Sequence, residues 1–525
     1  MPSRPAHPLG GRQLPSTDGP DVRAQPPNPA QPDGAAEPVS TAQPDSAGQP
    51  VRHAHPDGPV EPSGSSGSAL DVDRVLVERR GEEFVLNDRH LNPQFGRVLH
   101  TIGFDRSWVS GDGAYLIDSK GNRYLDLLGG YGVFAVGRNN ARVREQLKAL
   151  LDAHTANLPQ MGVSLLVGVL AEQLLARAPG SLGAVVMANS GTEAVEAAIK
   201  LARMATGRSR VLYCHGAFHG LTLGALSVNG NEEFRERSGP LLPGCDAVPF
   251  GDLDALRNEL ARGDVAAFLV EPVQGKGVNI PAPEYLPEAQ ECCRSHGALF
   301  VVDEVQTGLG RTGRFLALEH WSLEPDMVTV AKALSGGYVP VGATLTSRRV
   351  FERVFDTMER AVVHGSTFGN NDLAAAAGLA TLAEIDAAGL VERSRRLGER
   401  LLELTRPLVD RHEVVREVRG LGLLWAIEFG PPSGPVARRV WSAVEERQPG
   451  LFSQLVALPL FHEHRILTQV AGHHLNVIKA IPPLVLDDQD LVQFAAALDA
   501  VLERAARLPS AMTRMGVGMA RRAVL

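Results

Sequence analysis

The chain is 525 residues long, 44% hydrophobic and 21% charged, and carries a net charge of -8. It is too long for one simple domain and rich enough in apolar residues to bury a large core. Its negative charge argues against nucleic acid as a partner, because phosphate contacts need clustered Lys and Arg, and no stretch offers the roughly 18 uninterrupted apolar residues of a membrane span.

Residues 1–68 hold fifteen of the 36 prolines and no Phe, Trp or Tyr, with loose AQPDG-like repeats at Ala30, Ala42 and Ala54. Such a stretch cannot bury enough apolar area to offset its chain entropy. It is expected to be a disordered tail, a partner-binding role being the other reading. Its opening, MPSRPAHPLGG, lacks the apolar run of a secretory signal. Cys214, Cys245, Cys292 and Cys293 have neither zinc nor disulfide spacing. The expected setting is the reducing cytoplasm.

From Ala69 the composition turns globular. GAYLIDSKGNRYLDLLGG reads as two short strands around the turn Ser119-Lys120-Gly121-Asn122. Apolar runs then alternate with amphipathic ones. GAVVMAN is a buried strand, and GTEAVEAAIKLARMAT has helical spacing that puts Ala194, Ala198, Leu201 and Ala205 near one face. VAAFLVEP reads as a strand, APEYLPEAQECCRSHG as a helix, and ALFVVDEV and DMVTVAKAL as two further strands. Continuous Val, Ile, Leu and Phe between helices imply an α/β fold, a parallel sheet covered on both faces. Beyond GNNDLAAAAGLATLAEIDAAG, helices mix with short strands up to NVIKAIPPLVLDDQDL, as in a smaller second domain.

Three features carry chemistry. Gly308, Gly310 and Gly313 spell a dinucleotide-loop pattern, but Glu304 and Gln306 separate the strand from the first glycine. A pyrophosphate would be repelled by the acids there, so GLGRTG reads as a flexible loop. Asp303 ends the strand ALFVVDEV, at the carboxyl edge where open α/β sheets hold their ligands, and a buried carboxylate there needs a positive partner. Lys332, in VTVAKALSGG, stands at the same kind of edge. Either the two form a structural ion pair or both face one cofactor. Pyridoxal phosphate joins a lysine amine and wants an acid beside its ring nitrogen. Its phosphate would need a cradle, and Ser190-Gly191-Thr192 at a helix start offers free N–H groups and the positive end of the helix dipole.

From about Arg97 to Leu508 the chain resembles the class III (omega) aminotransferases, pyridoxal-phosphate enzymes of fold type I. The resemblance rests on six ordered blocks: NSGTEAVEAAIKLAR, CHGAFHGLTLGALS, EPVQG, FVVDEVQTGLGRTG, AKALSGGYVPVGA and HGSTFGNNDLAAAAG. It implies a mostly parallel central sheet sandwiched by helices, with a smaller α+β domain built from both chain ends. The expected parts are a small-domain segment over 69–128, a large cofactor-binding domain over 129–395, a C-terminal small domain over 396–508 and a tail over 509–525. Lys332 would join the cofactor as a Schiff base and Asp303 would pair with the pyridinium nitrogen. Val305 and Phe218 would pack on opposite ring faces, and Gln306 would hydrogen-bond the phenolic oxygen. Ser190, Gly191 and Thr192 would form the phosphate cradle. Thr367 resembles a threonine that reaches the phosphate of the opposite subunit, which implies a homodimer with composite sites.

For the substrates the resemblance implies less. Glu271 resembles a glutamate that pairs with an arginine near the PPL segment, a pair that opens and closes on carboxylate-bearing or uncharged ends. Here Lys479 stands where relatives place the arginine, a point charge without the bidentate fork. Tyr131, in GGYGVF, would help line the pocket. The expected reaction moves an amino group from an amine or omega-amino acid to a 2-oxo acid in two half-reactions, without a metal. The donor would carry a terminal amine, as an omega-amino acid or a diamine does. Two other readings share these residues: a racemase or aminomutase of the same family, and a non-catalytic pyridoxal-phosphate-binding regulator.

Overall fold

The computed structural model describes residues 71–158, 161–472 and 475–505; the tails expected over 1–68 and 509–525 lie outside the described residues. Three short strands come first, β1 (Trp108–Asp112), β2 (Tyr115–Asp118) and β3 (Arg123–Asp126), joined as an antiparallel meander. The turn between β2 and β3 is held by Asp118, whose Oδ1 accepts from the N–H of Lys120 at 2.9 Å and of Asn122 at 2.8 Å.

The apolar runs that follow form one seven-stranded sheet. Its strands are β4 (Ala184–Ala188), β5 (Arg210–Cys214), β6 (Cys245–Val248), β7 (Val265–Val270), β8 (Leu299–Asp303), β9 (Met327–Val330) and β10 (Gly342–Thr346). They lie in the order β4-β10-β9-β8-β7-β5-β6. Only β10 runs against the rest, pairing antiparallel with β4 and with β9, so the sheet is mostly parallel. Every residue of β5, β7, β8, β9 and β10 is buried. That explains why these strands show no polar–apolar alternation: helices cover both faces.

One of those helices runs from Gly191 to Thr206, between two local signals. The Ser190 side chain accepts from the Glu193 N–H at its start, and Gly207 closes it with a left-handed φ of 71°. Ala194, Ala198 and Leu201 are buried along its inner face, with Ala205 partly so.

The C-terminal third adds β11 (Val415–Leu421), β12 (Leu424–Phe429), β13 (Ile466–Leu467), β14 (Gln469–Val470) and β15 (Val477–Ala480). Four of these make a sheet in the order β11-β12-β15-β14, while β13 joins β3 in parallel, so the two ends of the described chain share one sheet. A domain boundary between 395 and 396 would cut through the helix Leu390–Thr405. Among the described residues no single helix is long and apolar enough to cross a membrane.

The GLGRTG segment differs from the flexible loop expected. Residues 307–313 are all buried. The Arg311 guanidinium donates to the carbonyls of Leu423 and Pro482, and the Glu304 carboxylate accepts from the Thr307 hydroxyl and, at 2.7 Å, from the Leu318 N–H. The glycines serve close approach. A Cβ on Gly313 would lie 2.8 Å from Arg395 Cβ, one on Gly422 would lie 2.4 Å from the Thr312 carbonyl carbon, and one on Gly398 would lie 2.1 Å from the Gly422 oxygen. Loop, hairpin and helix thus meet backbone to backbone, and no side chain fits between them.

Gly398→Ala tests this contact. The added methyl meets backbone rather than a movable side chain, so stability should fall by about 1–3 kcal/mol or more in urea unfolding. A stability equal to or above wild type would mean that the helix and the Gly422 turn are not in contact.

Candidate active site

The chain's chemistry collects at one edge of the central sheet. Asp303 is the last residue of β8, Glu271 follows β7 directly, Lys332 follows β9 by one residue, and Ser190 follows β4 by one. Phe218 and His219 lie in the connection after β5. Parallel strands point their carboxyl ends the same way, so residues far apart in sequence arrive together. A cavity of about 770 Å³ opens there. Tyr131, Phe218, Glu271, Asp303, Val305, Gln306, Lys332 and Lys479 all line it.

Asp303 is only 4% exposed. The ion pair that could have joined it to Lys332 is absent; its partner is a histidine that sequence reasoning missed. His219 Nδ1–H donates to Asp303 Oδ2 at 2.6 Å, while Oδ1 accepts from Thr329 Oγ1 at 2.9 Å and from the Val305 N–H at 3.0 Å. Burial alone would push the His219 pKa down; the hydrogen bond and charge of Asp303, with Glu271 beyond, more than offset it and raise it. His219 Nε2 is buried without a hydrogen-bond partner among the described residues. The signal was present in CHGAFHG, one residue past Phe218, but nothing local marks which acid that histidine meets.

Lys332 begins a single turn of helix with φ 41°, a left-handed backbone that a residue with a side chain rarely adopts and that tends to persist at functional sites. Its pKa is lowered by burial, against the opposing pull of Asp303 and Glu271. Lys332 lines the cavity.

Glu271 and Lys479 do not pair with each other, contrary to what the family's glutamate–arginine pair would lead one to expect. Glu271 is held by backbone: Oε2 accepts from the Phe218 N–H at 3.1 Å and Oε1 from the Gly275 N–H at 2.9 Å. Its pKa is raised, chiefly by burial. Lys479, on β15 and 3% exposed, donates to the Gly275 carbonyl at 2.7 Å and to Gln306 Oε1 at 3.3 Å. Gln306 in turn gives Nε2–H to the Tyr131 carbonyl at 3.2 Å, so its amide is fixed at both ends. Tyr131 itself is 55% exposed, with φ 62°.

Ser190, Gly191, Thr192 and Thr367 do not line this cavity. Gly191 lies beside a lining residue: a Cβ on it would stand 2.8 Å from Val305 Cγ1. The N–H groups of Gly191 and Thr192, the first of their helix, make no hydrogen bond to the described residues. Thr192 Oγ1 lies 2.7 Å from Thr222 Oγ1. Thr367 is exposed in the segment before the helix Asp372–Ala387.

The Lys479 amine is pushed down to about 7, first by burial, then by the charge of Lys332. Between about pH 7 and the ordinary value of 10.5 the unfolded chain therefore binds a proton at this residue that the folded chain does not. Stability must rise with pH in that window, and the penalty is complete below it. In the apoprotein, the wild type should gain on Lys479→Met as pH rises from 7 to 10, by up to about 1.4 kcal/mol per pH unit in urea unfolding. Parallel stability curves would mean that Lys479 stays charged in the fold.

The comparisons with known proteins agree with this geometry. The family described as "Aminotransferase class-III" matches residues 104–502. The chain is 35% identical over 466 residues to the aminotransferase PigE of Serratia sp., covering 82% of this chain and 55% of that protein. It is 43% identical over 355 residues to the putrescine aminotransferase of Pectobacterium atrosepticum, covering 65% of this chain and 75% of the relative. The chain thus spans about half the length of the first relative and three quarters of the second. Among solved structures, the ornithine aminotransferase of Toxoplasma gondii, with PLP at partial occupancy in its active site, is similar with a TM-score of 0.72 at 29% identity, over 84% of this chain and 100% of that one. Sequence, fold and the collection of residues at one sheet edge lead to the same place: the chain belongs to the class III aminotransferases.

Proposed function

We propose that this protein is a pyridoxal-phosphate-dependent transaminase that moves an amino group from an amine or omega-amino acid to a 2-oxo acid. The observation that carries the reading is that a buried-side amine, Lys332, and a buried acid, Asp303, line one cavity whose rim is the open start of a helix at Gly191. The residues suit the cofactor. Two unpaired N–H groups and a helix dipole offer a phosphate site, the Val305 side chain presses on Gly191 so closely that no larger residue fits, and the acid is buried.

When bound, pyridoxal phosphate carries the amino group between the two substrates and draws electrons from the substrate Cα–H bond. The rest falls to the chain. Gly191 and Thr192 would hold the phosphate by backbone N–H groups, with Ser190 capping the helix that presents them. Asp303, kept in place by His219, would pair with the ring nitrogen. Val305 and Phe218 would shield the ring from water, and Gln306, held by Lys479 and the Tyr131 carbonyl, would hydrogen-bond the phenolic oxygen. Lys332, whose amine pKa burial lowers, would take the proton from the substrate Cα and deliver it to the cofactor carbon that takes up the amino group.

Thr367 is the one assigned residue that this reading sends elsewhere, to the site of a second copy. In support, Met358, Val362 and Phe368 beside it are 95%, 88% and 61% exposed, and Met161 and Val163 are 103% and 96% exposed. The Ser164 hydroxyl binds Asp372, which ties that second apolar segment to the end of the Thr367 segment. Apolar side chains so bare call for a partner surface. The reading further places the enzyme in the cytoplasm and assigns the seven-stranded sheet and its helices to a large domain, with both chain ends in a small one.

Lys332→Ala should lower turnover by about a thousandfold or more while leaving the circular dichroism spectrum unchanged. Borohydride should fix the cofactor's absorbance to the wild type and not to the variant. A variant that transaminates at the wild-type rate removes Lys332 from the reaction. Mole-for-mole consumption of the 2-oxo acid separates a transaminase from an isomerase, which consumes none.

A further inference from the structure

We propose that Lys276 selects the far end of the donor: its ammonium takes a distal carboxylate in exchange for Glu233, so that omega-amino acids are preferred over diamines. The inference rests on the transaminase reading.

Lys276 lines the same cavity as Lys332 and Asp303, and its side chain is 14% exposed. Its Nζ stands 2.8 Å from Glu233 Oε1, 4.2 Å from the centre of the Phe234 ring and 6.0 Å from that of Phe218. Both rings line the cavity, so the cation sits among apolar surface that a donor's carbon chain would touch. Glu233 does not line the cavity; it approaches Lys276 from a single helical turn, Glu232–Arg235. Glu233 is the more exposed partner, at 35%, so water can solvate its carboxylate when another takes its place at Lys276.

The backbone that carries Lys276 is fixed. Gln274 N–H bonds the Asn279 carbonyl at 3.0 Å across the loop, and Arg419 donates to the carbonyls of Gly277 at 2.7 Å and Val278 at 3.0 Å. What can move is the lysine stem, four carbons of rotatable chain ending in a point charge. A fixed base with a swinging cation suits the capture of an anion at the end of a flexible substrate.

The charge balance of the wall decides the sign. Of the charged residues lining the cavity, Lys276 and Arg447 are basic, Lys332 and Lys479 are amines whose pKa burial lowers, and only Glu271 and Asp303 are acidic. Both acids are engaged, Glu271 by two backbone N–H groups and Asp303 by three donors. A second ammonium at the far end of a diamine would meet repulsion and no open acid. A carboxylate would meet Lys276, with Arg447 as a further cation on the wall.

The test titrates the holoenzyme calorimetrically with hexanoate, an unreactive monocarboxylate. Bleaching of the bound cofactor is then followed with ε-aminocaproate, hexylamine and hexamethylenediamine, which match it in chain length. Lys276→Gln should weaken hexanoate about tenfold, the worth of one charge-assisted hydrogen bond. It should also raise the KM ratio of ε-aminocaproate to hexylamine by the same factor. Lys276→Glu should reverse the preference in favour of hexamethylenediamine. Glu233→Gln, which frees the lysine, should tighten hexanoate, an opposite change that misfolding cannot imitate. Equal hexanoate affinity in the wild type, Lys276→Gln and Glu233→Gln, with hexylamine still bleaching the cofactor, overturns this inference and leaves the transaminase reading standing. Failure of every amine to bleach the wild type overturns that reading and this inference with it.

Discussion

A carboxylate at the last residue of a buried parallel strand has to be satisfied by donors, because water does not reach it to do so. Asp303 is in that position, and its donors come from three places: His219 after β5, Thr329 within β9, and the N–H of Val305 in the turn that leaves β8. Each ties a different segment to the same two oxygens. The acid therefore does structural and chemical duty together. It draws the connection after β5, with Phe218, over the strand ends, and it sets the direction in which the chain leaves β8 toward Gln306. Removing its charge would loosen the wall of the cavity as well as change what the cavity can bind.

The same strand end carries a second buried acid with another task. Glu304, one residue on, turns away from the cavity and binds the Thr307 hydroxyl and the Leu318 N–H, which folds residues 304–318 back on themselves. Burial raises its pKa to about 7, although the donors around it pull the other way. Asp303 ends β8 and Glu304 is the first residue beyond it, and the two acids meet different partners. Arg311 completes the fold of this segment from the far side, through carbonyls rather than an acid, and burial lowers its pKa to about 9.

What could be read from the sequence was set by how local its cause is. The helix Gly191–Thr206 agrees with the stretch read from GTEAVEAAIKLARMAT because its cap and its terminating glycine adjoin it. Asp303 and Lys332 share a cavity because position at a strand's carboxyl end is itself a local property, and the sheet does the rest. Contacts of long range were not legible. His219 and Asp303 are 84 residues apart, and Lys479 and Gln306 are 173 apart. GLGRTG was misread for the same reason, since the surfaces that bury it, Gly398 and Gly422, lie far along the chain. Its glycines look alike whether a pyrophosphate or a neighbouring backbone comes close.

The departure at Lys479 can be followed to its end. Glu271 and Lys479 do not meet, yet both hold Gly275, the acid through its N–H at 2.9 Å and the lysine through its carbonyl at 2.7 Å. The residue thus stands between the two charges, and a Cβ on it would lie 2.5 Å from Gln306 Oε1. A lysine can do this because one point charge matches one carbonyl oxygen; the planar fork of an arginine is shaped for two parallel acceptors. With its amine engaged by the Gly275 carbonyl and Gln306, Lys479 anchors the loop. A positive charge facing the donor must then come from elsewhere on the wall, and the loop that Glu271 and Lys479 anchor at Gly275 carries one on its very next residue.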